Sequence, residues 1–179
     1  MKRAVLCFFL SFPINVLAGL HGPHTHGEME ALIQWQDGQL SITLVGTAQD
    51  LIGYERTPKS AKEKKALRKF DTTYDPLEMI KTNPESGCEF IQGRTSSDMF
   101  SAMPHKHSLF GKTHTHEIGT GDHIDFLMQY TYECKSMPKI TFDIFSRAPS
   151  IKKLNIHRDT IDGNVEAILT PKNNQLLVQ

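Results

Sequence analysis

Neither sign of charge is in excess in this chain, where 20 lysines and arginines balance 20 aspartates and glutamates. A nucleic-acid reader needs a concentrated basic face, and with aromatics at only 8% of residues there is no stacking platform to replace it. The one basic run, Lys59 to Lys69, is interrupted by Glu63, Ala66 and Leu67 and reads as the solvated side of a helix. Long apolar runs are also missing. Beyond the first stretch no segment approaches the roughly 20 residues that span a bilayer, so no membrane span is expected after it. There is no internal repeat, no His-Glu-x-x-His, and no serine or cysteine nucleophile signature. A zinc hydrolase would need an open metal position beside a poised base, and Glu117 or Asp125 would be its only local candidate, so a non-enzymatic protein is expected.

Cysteine is scarce, and the leader explains one of the three. Lys2 and Arg3, the apolar run Ala4 to Leu10 and the small-residue site Val16-Leu17-Ala18 read as a secretory signal peptide over residues 1–18. The remainder, 19–179, is long enough for one domain with its own core. Cleavage removes Cys7 and leaves Cys88 and Cys134 in an oxidising compartment, where a disulfide is expected. The alternative is a pair of thiolate ligands. It is disfavoured because both cysteines sit beside hydrophobic strands rather than among the histidines.

Histidine is what the chain does have. Three His-x-His pairs, His24 with His26, His105 with His107 and His114 with His116, combine with His21 and His123 to gather eight of nine histidines into two clusters. Imidazole is the commonest protein ligand for late first-row divalent ions, and two imidazoles one residue apart on extended backbone point the same way. The competing reading is a solvated histidine loop without fixed ligands. Zinc suits such ligands, and the residue types alone do not select it. Copper and nickel also suit such ligands, and Met99 and Met103 beside the His105 pair supply thioethers that suit copper. Glu28 is a further oxygen candidate, Asp125 a ligand or an orienter of His123, Glu30 a solvated charge and His157 a sheet-surface histidine.

Periodicity frames these groups. Met29, Ala31, Ile33 and Trp35, then Leu40, Ile42 and Leu44 after Asp37-Gly38, predict a β-hairpin. If its first strand extends back to the leader, His24, His26, Glu28 and Glu30 share one face. Ser60 with Glu63, and Asp75-Pro76 with Glu78, predict two capped short helices. Cys88 to Ile91 reads as a returning strand, and periodicity is then lost over residues 93–122, a long loop carrying His105, His107, His114 and His116. Strands resume at Ile124 to Tyr132, at Ile140, Phe142 and Ile144, at Leu154 and Ile156, at Val165 to Leu169, and at Leu176 to Val178. The fold class expected is α+β: mainly antiparallel sheet, or a two-layer sandwich, with a short helical pair and a long histidine-containing loop. If the strand after His123 lies beside the first, His24 or His26 and His123 could complete one tetrahedral site.

The motifs, in order, resemble the periplasmic zinc uptake proteins of the ZrgA family. The resemblance runs from His21-Gly22-Pro23-His24-Thr25-His26-Gly27-Glu28 through Leu51-Ile52-Gly53-Tyr54-Glu55 with Pro58, Asp75-Pro76, Gly87-Cys88 and His123-Ile124-Asp125-Phe126, to Cys134 and Leu169-Thr170-Pro171. It implies a secreted zinc-binding protein that assists zinc acquisition in a periplasm, with a zinc transporter component as partner. Family members typically carry a long His-Asp repeat in the middle loop. Here the loop is thinner and holds Lys106 and Lys112, which disfavours a high-capacity sponge and favours a few discrete ligands.

Overall fold

The computed structural model describes residues 25–101, 105–106, 113–114, 124–160 and 163–176. Alternation builds the first two strands, β1 (Glu28–Gln36) and β2 (Gln39–Thr47), which bury Met29, Ala31, Ile33, Leu40, Ile42 and Leu44 on one side. Asp37 and Gly38 join them with φ of 51° and 83°, the two positive values that a type I′ hairpin turn requires.

Helical pieces follow. Thr47 caps α1 (Ala48–Ile52), and a reciprocal Ser60–Glu63 capping box opens α2 (Ala61–Arg68). Two single turns, α3 (Phe70–Thr73) and α4 (Pro76–Met79), come next. Asp75 caps α4 by accepting from Leu77 N–H at 2.9 Å, but Glu78 pairs with Arg147 across the fold.

The remaining elements are β3 (Ile80–Thr82), a 3-10 turn (Pro84–Ser86), β4 (Glu89–Ser96), α5 (Asp98–Ser101), β5 (His105–Lys106), β6 (Thr113–His114), β7 (Asp125–Glu133), β8 (Ile140–Phe142), α6 (Ile144–Arg147), β9 (Lys153–Thr160), β10 (Gly163–Leu169) and β11 (Gln175–Leu176). Six strands form the main sheet in the order β10-β9-β1-β2-β7-β4, and β11-β8-β3 form a small one. The fold is α+β, as expected, with three corrections. The main sheet is mixed, because β1 and β9 run parallel. A parallel pair needs a long crossover, and most of the chain lies between these two strands. Ile144 starts a turn of helix rather than ending a strand. Finally, β4 continues to Ser96, past the Gly93 at which the sequence reading starts its loop.

The inner face of the sheet is covered by the helical pieces. Phe70 stacks on Phe126 with ring centroids 4.0 Å apart, and Phe100 meets both rings edge-on. Tyrosine hydroxyls tie the layers together: Tyr74 donates to Leu51 C=O, Tyr130 to Tyr74 C=O and Tyr132 to Pro76 C=O. Burial pushes the Tyr74 phenol up to about 12 and raises those of Tyr130 and Tyr132 as well. Cys88 and Cys134 form the expected disulfide, which links the start of β4 to the end of β7.

Candidate metal centre

One end of the main sheet collects the chemistry. Gly27, with φ of 84°, turns the chain just before β1, so the strand does not extend back through His26. His26 therefore leaves the Glu28–Glu30 face and sits in a turn closed by Glu28 N–H donating to Thr25 C=O at 3.0 Å. The turn is pinned from both sides. Gly27 N–H donates to Asp50 Oδ2 at 2.8 Å, and Gly27 C=O accepts from Lys152 N–H at 2.7 Å and Lys153 N–H at 3.2 Å.

Asp50 is the residue that sequence reasoning missed. Its carboxylate is 6% exposed and lies 3.9 Å from Nδ1 of His26, whose side chain is 53% exposed. A buried carboxylate needs donors, and Asp50 has them in Gly27 N–H and in the Thr47 hydroxyl at 3.0 Å. Thr47 Oγ1 in turn accepts from Asp50 N–H at 3.2 Å, and Ser150 donates to Asp50 C=O at 2.6 Å. The sequence signal was Thr47-x-x-Asp50, an ordinary helix-start pattern.

The first turn of α1, which carries Asp50, also meets the start of β7. Ala48 N–H donates to Ile124 C=O at 2.7 Å, and Thr47 is the register partner of Asp125. β2 separates β1 from β7, so the strands that follow His26 and His123 in the chain are not neighbours, but α1's first turn bridges their ends. β4 ends here too, with Ser96 opposite Leu127. Thus the segment before β1, the segment after β4 and the segment before β7 all join the sheet at one end, and every His-x-His pair belongs to one of them.

His21, His24, His107, His116 and His123 lie outside the described residues, as does the 1–18 leader. For His105 and His114 the backbone is described, and the two are register partners in the β5–β6 ladder, which joins two of the three pairs. Asp125 is half-buried at the shared sheet end. Glu28 is engaged elsewhere, accepting from Lys153 Nζ at 2.8 Å and Asn155 Nδ2 at 3.3 Å. Those hydrogen bonds, the one from Lys153 foremost, hold its carboxyl below the usual range. Glu30 is also engaged rather than freely solvated, because His157 Nε2 sits 2.7 Å from it on the outer sheet face.

Among the described residues no group of three histidine, cysteine, aspartate or glutamate side chains is close enough to hold an ion. At the Gly27 turn they offer one imidazole, His26, and one carboxylate, Asp50, both donors that zinc accepts. The disulfide takes both described thiols out of consideration, and Met99 is fully buried in the core, which removes one of the two thioethers that suited copper.

Fold and site together define an α+β protein with a disulfide-clamped mixed sheet and an imidazole–carboxylate pair at the far sheet end. The model of the ZrgA family zinc uptake proteins matches residues 23–178, and the chain belongs to that family. Membership implies a role in zinc uptake; the family is associated with transport and is not a known enzyme family. No match is found among curated proteins. Among the described residues no helix is long and apolar enough to cross a membrane.

Proposed function

We propose that this is a periplasmic zinc-binding protein that assists zinc uptake or buffers zinc, with histidines as ligands and a zinc transporter component as the recipient. On this reading residues 1–18 are a signal peptide and 19–179 one zinc-binding domain. The observation that carries it is topological: all three His-x-His pairs lie in segments that join the sheet at one end, the end where His26 meets Asp50. The pinned turn at Gly27 favours His24 and His26 as principal ligands, with His123 and Asp125 next in rank. The register of His105 with His114 supports a contribution from the loop, together with His107 and His116. His21, closest in the chain to the expected cleavage point, and Glu28, engaged by Lys153, are the weakest of the set. The disulfide fits an oxidising compartment.

Equilibrium dialysis of the oxidised protein against zinc at neutral pH tests the reading, and saturable uptake is expected. No uptake ends it. His24→Ala with His26→Ala is expected to cost more affinity than His105→Ala with His107→Ala. An equal loss would move the site into the loop.

A further inference from the structure

We propose that Asp50 is a positioning residue that holds the His26 ring so that Nε2, and not Nδ1, meets the zinc ion. The inference rests on His26 being a ligand. A neutral imidazole carries its proton on one nitrogen and offers a lone pair on the other, so the neighbour of one nitrogen decides which is free. Beside Nδ1 of His26 stands Asp50, whose Oδ2 is 3.9 Å away, within the range of a charge interaction. A carboxylate there keeps the proton on Nδ1, leaves Nε2 for the ion and strengthens it as a donor.

Burial assigns the two roles. The Asp50 side chain is 6% exposed and the His26 ring 53%, so the carboxylate is the inner group and the imidazole the outer one. The orienting oxygen is itself fixed, because Oδ2 accepts from Gly27 N–H and from the Thr47 hydroxyl, and the Asp50 carbonyl is held by Ser150. Gly27 immediately follows His26, so the same oxygen sets both the backbone turn and the ring that it carries.

The test is long-range proton–nitrogen NMR of the His26 ring in the full chain, with and without zinc. Before zinc at neutral pH the proton is expected on Nδ1, and on addition the Nε2 resonance is expected to move. A metal shift at Nδ1 overturns the proposal, and this measurement on the unaltered protein decides even if variants fold poorly. Asp50→Asn keeps the shape and removes the charge. It is expected to weaken zinc binding by about 10- to 100-fold and to remove the preference for the Nδ1 proton. Unchanged affinity with an unchanged tautomer overturns the proposal. His26→Ala separates the two claims: if zinc affinity survives it, His26 is not a ligand and the underlying reading fails. If affinity falls in His26→Ala while Asp50→Asn changes neither readout, only the role of Asp50 fails.

Discussion

A methyl group at position 46 would have no room. A Cβ built on Gly46 lies 2.8 Å from Met29 Cγ and 3.1 Å from its Cε, and Met29 is 1% exposed. The near atom is Cγ, close to the Met29 backbone, so the side chain cannot swing its end away to make space. Gly46→Ala is expected to destabilise by about 1–3 kcal/mol, the usual range for overpacking a filled core. Urea unfolding would register it as a lower midpoint at unchanged slope, and an unaltered midpoint would mean that Met29 repacks freely. The sequence carries no sign of this contact, because Gly46 and Met29 meet only through strand register. Asp50 was hidden for the same kind of reason. Its local pattern reads as helix start, while its partner Gly27 lies 23 residues upstream and is reached only once β1 and β2 have paired.

Single elements are legible where the signal is local. Glu63 shows how much one side chain can organise: it closes the capping box of α2, accepting from Ser60 N–H at 2.8 Å and Lys59 N–H at 2.7 Å. It also takes two hydrogen bonds from Arg56, the shorter at 2.7 Å, while Arg56 lies over the Tyr54 ring at 5.5 Å. The Arg56 guanidinium first, and the Ser60 N–H after it, hold the Glu63 carboxyl down at about 2 against an ordinary 4.5. Because the folded value is the lower one, the unfolded chain takes up the proton first. The contribution is therefore fully present above 4.5 and lost as pH falls towards about 2. Comparing urea midpoints of the natural protein and Glu63→Gln should give a gap at neutral pH that closes over this window. A gap that persists at the acid end would assign the effect to packing instead. The box was readable from Ser60-x-x-Glu63, as the hairpin was from its alternation and Asp37-Gly38. Ile144 was not readable. Period two runs through Ile140, Phe142 and Ile144, but Asp143, at φ −88° and ψ 12°, turns the chain into a helix whose Ile144 and Phe145 are both buried. Alternation cannot register such a turn.

Across the whole molecule the disulfide and the candidate site occupy opposite ends of β7. Cys134 follows its last residue and donates its N–H to Gly38 C=O in the β1–β2 turn at 2.7 Å, whereas Asp125 opens the strand opposite Thr47. Nine residues of strand separate the two, on the order of 30 Å at the usual rise per residue. The covalent link closes a sequence separation of 46 residues that includes β4, the histidine-bearing loop and β7. In the chain-entropy model this stabilises the fold by roughly 4 kcal/mol, acting on the unfolded chain rather than on the site. Reduction, or Cys88→Ser with Cys134→Ser, is therefore expected to lower the urea midpoint strongly. Zinc affinity, measured by dialysis where the reduced protein is still folded, should be unchanged within about twofold, since the Gly27–Asp50–Thr47 contacts stand at the other end and depend on β1, β2 and β9 pairing. A tenfold loss of affinity in folded, reduced protein would mean that the staple transmits to the site along β7. In that case the β4–β7 pairing, rather than the capped turn of α1, sets the geometry at the metal end.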